Sequence, residues 1–409
     1  MLEPPGSPTA RSLHRARIAV ATMFLVNGML FGDWVPRIPM IKDRVHAGTG
    51  PLGLALLGIA VGALLTKPSA GRLVARYGSG PVTRVGITLS CAALVLPALA
   101  VNVPTLALCL LGFGGAMGVN DVAMNAHGVR VQRLMGRSIL SSCHGVYSVG
   151  GVLGALIGGR AAALGISPLV HFGVAAAALG VLALAASRWL LPPEGESPGG
   201  AAVAAEGRAG LGRDRLVLLY LLGAIGLCGM VGEGAVGDWG AVYLQNNLGS
   251  GAEFASTGYV AYSVAMAVGR LGGDRFISRW GGPRVAAVAT AFGGAGLAAG
   301  LSAGRPVAAV AGFAVLGLGL SVVNPVAYSL AGTVGGDEAG PALAVVSGVG
   351  GCGMLAGPPV IGFIAEGVGL PTALGTVSVL AFLNVLLISV AGRRVRVPAA
   401  APVPAESAS

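Results

Sequence analysis

The chain contains an internal repeat with an offset of 203 to 205 residues. Four pairs of segments match in order: Gly32-Asp33-Trp34 with Gly237-Asp238-Trp239, residues 72–78 with 275–281, residues 120–123 with 324–327, and the glycines after Gly145 with those after Gly348. Four matches in the same order predict two halves related by a same-direction duplication. A functional site of such a chain is expected where the two halves face each other.

The composition places both halves in a membrane. Hydrophobic residues make up 54% of the chain, charged residues make up 10%, and the mean hydropathy is +0.80. A soluble protein of this length is less apolar. Twelve segments are long and apolar enough to cross about 30 Å of hydrocarbon: 17–37, 51–71, 81–101, 104–129, 138–164, 168–190, 214–244, 253–273, 283–303, 306–331, 341–366 and 371–391. We therefore predict an all-α membrane protein with twelve transmembrane helices in two six-helix pseudo-repeats.

The domain boundaries follow from the same pattern. Residues 1–191 are predicted to form an N-terminal six-helix bundle and residues 214–396 a C-terminal one. The run 192–213 between them is rich in Pro, Gly, Ala and Glu, which predicts a cytoplasmic linker. Residues 397–409 are expected to be a disordered tail.

The distribution of cations predicts the orientation, because Lys and Arg are retained on the cytoplasmic side of a membrane. With both termini in the cytoplasm, five of the 26 Lys and Arg residues lie on the outer side: Arg37, Lys42, Arg44, Arg160 and Arg305. We therefore expect a multi-pass protein of the cytoplasmic membrane with cytoplasmic N- and C-termini.

The loop between the second and third predicted helices, Gly71-Arg72-Leu73-Val74-Ala75-Arg76-Tyr77-Gly78, resembles the Gly-x-Leu-x-Asp-Arg-x-Gly motif of the major facilitator superfamily. The resemblance implies transport by alternating access and a gating role for Arg72 and Arg76, although Ala75 replaces the acid of the motif. In the second half, Arg270 and Asp274 are four residues apart. We expect this pair to act as a gate instead, or only to anchor its helix at the membrane interface.

Further stretches resemble two branches of that superfamily. Residues 118–125, Gly-Val-Asn-Asp-Val-Ala-Met-Asn, are similar to the Gly-x-x-Glu-x-Ala-x-Asn stretch of the fucose/proton symporter family, and Asp33 falls where that family keeps an acid. Segments 34–43, 144–148 and 233–239 look like those of the YbjJ-type inner membrane transporters. These resemblances imply a porter and leave its substrate open.

Charged side chains inside the predicted helices need a reason, because each costs about 2.5 to 3.5 kcal/mol on insertion scales. Asp33 lies nine residues before Lys42, and Asp121 lies nine residues before Arg130. At about 1.5 Å per residue, both acids then lie roughly 13 Å inside the membrane. We expect both to face one central cavity, where proton uptake removes a charge. The alternative for Asp33 is a pair with Arg37, one turn on, or a cap of a helix break at Pro36.

Further polar and aromatic residues complete the predicted site for solute binding and proton coupling: Trp34, Asn120, Asn125, His144, Tyr147, Glu233, Asp238, Trp239, Tyr262 and Asn324. Aromatic rings beside acids and amides suit a polar, ring-like or sugar-like solute. The two tryptophans are expected to line the cavity or to belong to the interfacial belt. His144 is a candidate proton relay or a packing histidine, and the helix is expected to break at Asn324-Pro325. His171 is given no role.

Other classes of function find no support in the sequence. The net charge of +10 is spread over loops that flank the membrane, so we expect no nucleic-acid partner. The five cysteines stand singly and the five histidines are scattered, so we expect no metal site and no cofactor. No set of nucleophile, base and acid predicts an enzyme.

The sequence thus favours a monomeric, proton-coupled symporter for a small polar solute. A first alternative is an exporter of an amphipathic compound by proton antiport. Against it, Ala155 occupies the proline position of the antiporter motif, and Leu108–Gly118 lacks the arginine of drug/proton antiporters. A second alternative is a membrane receptor or scaffold that transports nothing.

Overall fold

The computed structural model describes residues 9–136, 139–192, 212–335 and 339–395. These residues form helices joined by short connections and include no strand. Most of the predicted linker (193–211) and the whole predicted tail (397–409) lie outside the described residues.

The described residues contain six long helices in each half, which confirms the predicted fold. In the N-terminal half these are α1 Ala10–Arg44, α2 Thr49–Tyr77, α3 Ser79–Leu99, α4 Val103–Met135, α5 Leu140–Ala163 and α6 Pro168–Ser187. In the C-terminal half they are α7 Arg213–Asn247, α8 Ala252–Trp280, α9 Gly282–Ser302, α10 Pro306–Gly335, α11 Ala339–Val368 and α12 Leu370–Arg394.

Eleven of these helices are long and apolar enough to cross a membrane. The exception is α8, which has 29 residues but a more polar sequence. Its first half carries Ser256, Thr257, Tyr259 and Tyr262. Helix α8 faces the other half of the protein. Part of its surface therefore meets protein instead of lipid and can carry polar side chains.

Helix α1 changes geometry at a proline. It runs as an α-helix over Ala10–Trp34, tightens to a 3₁₀ turn over Val35–Arg37 and continues as an α-helix over Ile38–Arg44. Pro36 has no backbone N–H to donate, and its ring pushes away the preceding turn. The break therefore falls directly after Asp33 and redirects the outer end of the helix.

Helix α10 is broken in the corresponding way. It consists of the segments Pro306–Leu320 and Val323–Gly335. The ring of Pro325 conflicts with the carbonyl group four residues earlier, at Ser321, where the first segment ends. The predicted break at Asn324-Pro325 therefore lies within one turn of the observed one.

The motif loops of the two halves have the same backbone geometry. Helix α2 ends at Gly78 with φ 84° and ψ 155°, and helix α8 ends at Gly281 with φ 83° and ψ 140°. The amide of Gly78 donates to the Val74 carbonyl, and that of Gly281 donates to the Ile277 carbonyl. Glycine adopts this positive φ without strain. The sequence repeat is therefore also a structural repeat.

Glycines allow α1 and α5 to pack backbone against backbone. A methyl group added at any of four positions would collide with a backbone carbonyl of the facing helix: Gly28, Gly32, Gly150 and Gly154. In the second half, Gly353 of α11 packs in the same way on the Leu227 carbonyl of α7. Small residues are the usual means of close helix association in membranes, where no hydrophobic force drives helices together.

Candidate functional site

A cavity of about 350 Å³ lies between the two halves. Helices α1, α2, α4 and α5 line one side of it, and α7, α8 and α11 line the other. Its polar wall consists of Asn27, Lys67, Asp121, His144, Tyr147, Glu233, Asp238 and Tyr259. Five of the residues predicted for the site are therefore brought together: Asp121, His144, Tyr147, Glu233 and Asp238.

The two halves touch at one end of the cavity. Arg160 Nη1 lies 3.1 Å from Glu253 Oε2, and Asn246 Nδ2 lies 3.5 Å from Asp43 Oδ1. The Glu366 side chain packs on Gly50 at the same end. All these residues flank the loops that the cation distribution assigns to the outer side.

At the opposite end of the cavity, the described residues leave α5 and α11 uncovered near Gly145 and Gly348. A methyl group added at Gly145 of α5 or at Gly348 of α11 would meet no atom of a described residue within 4 Å. Both positions lie near the end of the bundle that carries the Arg-rich loops. Among the described residues, the two halves therefore meet on one side of the cavity and leave it uncovered on the side of the basic loops.

An ion pair lies on the wall of the N-terminal half. Lys67 Nζ of α2 is 3.5 Å from Asp121 Oδ2 of α4, and both side chains are about half exposed to the cavity. Asn125 Nδ2 donates to the Asp121 carbonyl at 2.8 Å and to its carboxylate at 3.1 Å. Asp121 is also within electrostatic range of His144, whose ring packs edge-on against Phe24. Asp121 therefore has a cation, an amide and an imidazole around it.

Lys67 was not among the predicted site residues. The cation distribution counted it only among the Lys and Arg residues of the cytoplasmic side. The structure places it about three turns before the end of helix α2, on the cavity wall. The signal that could have identified it is its position inside the predicted transmembrane segment 51–71.

Two acids lie on the wall of the C-terminal half. Glu233 and Asp238 both project from α7 into the cavity. Arg270 of α8 acts electrostatically on Glu233. Asp238 makes no hydrogen bond or ion pair with any described residue. It is close enough to Tyr259 for its charge to act on the Tyr259 hydroxyl group. The two acids thus differ in that a cation lies within electrostatic range of only one of them.

Asp33 lies behind the cavity wall, and the prediction that it faces the cavity is wrong. Its side chain is buried, and Oδ1 lies 3.1 Å from His171 Nε2 of α6. Arg37 Nε donates to His171 Nδ1 at 3.1 Å. The structure therefore places Asp33 in a buried row with His171 and Arg37, close to the alternative of a pair with Arg37. His171, which was given no role, is the middle member.

The two repeated tryptophans are core residues. Trp34 and Trp239 are both 0% exposed, and neither lines the cavity. Trp34 packs against Phe172 of α6, and Trp239 packs against Gly362 of α11. Both expected placements, in the cavity wall and in an interfacial belt, are wrong. Each tryptophan follows an aspartate in the helix and so points about 100° away from it.

Three other predicted residues lie in a second layer. Asn120 is buried and donates from Nδ2 to Asn27 Oδ1 at 3.1 Å, and Asn27 in turn lines the cavity. Tyr262 is 2% exposed and packs where α10 crosses α8. Asn324 Nδ2 lies 3.5 Å from Met230 Sδ of α7, beside the break in α10. These residues support the cavity wall and do not form its surface.

The predicted gating residues lie at the open end. Arg72 and Arg76 make no ion pair with a described residue, and Arg76 lies over the Tyr77 ring at 5.3 Å. Arg270 is exposed and reaches Glu233 and His144 electrostatically. The side chain of Asp274 lies outside the described part of the structure. Gating by these residues stays a prediction.

No metal site is found among the described residues, since no three His, Cys, Asp or Glu side chains there are grouped to hold an ion. The five cysteines are unpaired.

Two six-helix halves around a shared cavity with ionisable side chains define the architecture of a secondary transporter. The family model of the Major Facilitator Superfamily matches residues 18–281 and 227–409. The chain belongs to this superfamily, and it is a multi-pass membrane transporter rather than an enzyme.

Its curated relatives extend over nearly the whole chain. It is 34% identical over 367 residues to an uncharacterized MFS-type transporter of Yersinia pestis, covering 89% of this chain and 92% of that one. It is 36% identical to an uncharacterized transporter of Sinorhizobium fredii, covering 85% and 90%. It is 32% identical to the membrane protein MosC of Rhizobium meliloti, covering 87% and 85%.

Solved structures share the fold. The nucleoside transporter NupG superposes with a TM-score of 0.74 at 14% identity, covering 94% of this chain and 100% of that one. A bacterial homologue of the lysosomal transporter Spinster, in an inward-facing and unoccupied conformation, has a TM-score of 0.72 at 14% identity, with 94% and 98% covered. Likeness to the YbjJ-type transporters and the fucose/proton symporters stays a prediction.

Proposed function

We propose that the protein takes up a small polar solute across the cytoplasmic membrane by proton symport and alternating access. The observation that carries the proposal is the central cavity, which both halves line and which is closed at one end. A cavity with ionisable groups at the interface of two repeats is where transporters of this architecture bind substrate and coupling ion.

The proposed proton site is Asp121. In the structure its carboxylate is held by Lys67 and Asn125. Protonation would remove the charge that attracts Lys67, so the two side chains would separate and the wall of the N-terminal half would change shape. Such a two-state contact allows a proton to bias the equilibrium between conformations. His144 lies within electrostatic range of Asp121 and is the candidate relay.

The proposed solute site lies between Asp121 and the acids of α7. A volume of about 350 Å³ accommodates a metabolite of one or two rings. Tyr147 and Tyr259 offer hydroxyl groups and Asn27 offers an amide. This mixture of hydrogen-bonding groups and aromatic rings supports a polar solute with a ring.

The distribution of cations supports a definite state of the transport cycle. With both termini in the cytoplasm, the open end of the cavity faces the cytoplasm and the pair Arg160–Glu253 closes the outer side. The proposed state is therefore inward-open. We propose that the protein acts as a monomer, since one chain holds the complete cavity.

One observation favours export of an amphipathic compound instead. Much of the remaining cavity wall is apolar: Phe24, Leu56, Ile59, Met117, Met124 and Met354. Flexible methionine side chains adapt to varied apolar ligands. Proton antiport of an amphipathic compound is therefore the second candidate.

The experiment measures the external pH of right-side-out vesicles that contain the protein. Sugars, organic acids, amines and amphipathic drugs are added in turn, with wild type and Asp121→Asn side by side. Symport predicts external alkalinisation by one solute class and a loss of at least about tenfold in Asp121→Asn, because the amide cannot carry the proton. Asp214→Asn, which changes an exposed acid in the first turn of α7, is the control.

Two outcomes contradict the proposal. Solute uptake by folded protein without any pH change would overturn proton coupling. Export of an amphipathic drug against proton entry, unchanged in Asp121→Asn, would favour the antiporter.

A further inference from the structure

Asp238 has neither an ion pair nor a nearby cation among the described residues. Asp121 is paired with Lys67, and Glu233 lies within electrostatic range of Arg270. Among the described residues no cation or hydrogen-bond donor reaches Asp238. A carboxylate removed from bulk water without a partner is costly, so such a group is completed by a proton or by a cation.

The repeat allows a comparison of Asp238 with its equivalent residue in the first half. Its equivalent in the first half, Asp33, is neutralised by Arg37 and His171. At the offset of 205 residues, Arg37 corresponds to Val242. Helices α6 and α12 align through Pro168 and Pro371 at an offset of 203, so His171 corresponds to Leu374.

Both replacements are apolar and buried: Val242 and Leu374 are each 1% exposed. The duplicated aspartate is therefore neutralised within the protein in one half, and it is left open to the cavity in the other. The buried contacts of Asp33 stabilise the fold and account for its presence in the core. Asp238 has no such contacts, so stability does not account for a carboxylate at its position.

Two aromatic rings line the cavity together with Asp238. Phe31 of α1 and Tyr259 of α8 have ring centroids 6.2 Å apart, tilted by 59°. A methyl group on Gly234 would lie 3.8 Å from Asp238 Oδ2, and one on Gly237 would lie 4.0 Å from Phe31 Cζ. The carboxylate and the rings therefore border one corner of the cavity, and the two glycines keep its α7 side free of side chains.

We infer that the transported solute carries an ammonium or similar organic cation, which binds between the Asp238 carboxylate and the rings of Phe31 and Tyr259. Cations are attracted to aromatic faces and form strong hydrogen bonds with carboxylates. The inference rests on the proposed transport function and names its substrate class. It also separates the solute site on Asp238 from the proton site on Asp121, so that both can be occupied together, as symport requires.

The test uses matched pairs of probes that differ in one amine. Tyramine is compared with tyrosol, and glucosamine with glucose, by isothermal titration calorimetry on the purified full chain at pH 7.5. We expect each amine to bind at least about tenfold more tightly than its neutral partner, as one charge-assisted hydrogen bond contributes. Asp238→Asn should reduce this preference to less than about twofold. Asp214→Asn, on the same helix, should retain it.

Three results overturn the inference. The first is equal binding of the neutral and amine probes to wild type. The second is a preference that survives in Asp238→Asn but disappears in Glu233→Gln. The third is no binding of either amine by wild-type protein that elutes and melts as a folded monomer. Proton-coupled uptake of a neutral solute would leave the transport proposal standing while the inference fails. Failure of transport for every solute would instead contradict the transport proposal.

Discussion

His171 Nε2 lies 3.1 Å from Asp33 Oδ1, and the opposite nitrogen of the same ring accepts a hydrogen bond from Arg37. Since a guanidinium group can only donate, Nδ1 of His171 is the acceptor and Nε2 carries the hydrogen. A neutral imidazole thus bridges a cation and an anion in the core of the N-terminal half. Through Asp33, which precedes the 3₁₀ turn, and Arg37, which ends it, the three residues join α1 to α6.

Removing the bridge should destabilise the protein. His171→Phe keeps a ring of similar size but leaves Asp33 and Arg37 buried without their partner. Breaking a buried ionic contact costs about 3 kcal/mol. We expect the apparent melting temperature in detergent to fall by about 5 °C or more. His14→Phe changes an exposed histidine of α1 and serves as the control. Equal melting temperatures for His171→Phe and wild type would contradict a stabilising role.

The contact between α1 and α5 should tolerate no side chain at its centre. A methyl group at Gly28 would collide with the Tyr147 carbonyl, whereas one at Gly173 of α6 would meet no described atom within 4 Å. Overpacking of this kind costs about 1 to 3 kcal/mol. We expect Gly28→Ala to lower the melting temperature and the yield of folded protein. Gly173→Ala should be neutral or slightly stabilising, because alanine favours a helix over glycine. Identical behaviour of the two variants would argue against close backbone packing.

Much of the fold could be predicted from the sequence. Apolar length and the repeat predicted the helices, and the breaks at Pro36 and Pro325 followed from backbone chemistry. These features depend on local properties of the chain. The depth of Asp33 and Asp121 in the membrane could be estimated as well, because it depends only on the number of helical residues between each acid and the end of its helix.

The direction of individual side chains could not be predicted in this way. Successive residues of a helix point about 100° apart, and a helix inside a bundle has several neighbours. Asp33 and Asp238 are equivalent in the repeat, yet one packs against α6 and the other faces the cavity. The difference depends on His171, a residue 138 positions away from Asp33 in the chain. Only the packing of α6 against α1 reveals it.

The ion pair Arg160–Glu253 should favour the state with the outer side closed. Its side chains are 61% and 57% exposed, and an exposed pair contributes less than about 1 kcal/mol. We expect Arg160→Gln to raise the population of the opposite state by no more than about fivefold. The measurement is the maleimide labelling rate of Ser256→Cys, at a buried position beside Gly159, in a variant without the five native cysteines.

Two comparisons sharpen the labelling experiment. Arg305→Gln removes an outer cation from the loop between α9 and α10 and should leave the rate unchanged. The exchanged pair, Arg160→Glu with Glu253→Arg, should return the rate toward that of the parent. An unaltered rate in Arg160→Gln would mean that the apolar and glycine contacts alone close this side.

Lys67 should be required for proton coupling rather than for solute binding. In Lys67→Gln the Asp121 carboxylate has no ion-pair partner. Asp121 can then no longer alternate between pairing with Lys67 and binding a proton. We expect proton-driven uptake to fall by about tenfold or more. Exchange of labelled for unlabelled solute across the membrane, which needs no net proton movement, should continue.

Lys67→Arg keeps the cation and should stay within about threefold of wild type in both assays. A parallel loss of uptake and exchange in Lys67→Gln would place Lys67 in solute binding instead, and normal proton-driven uptake in that variant would remove Lys67 from the mechanism.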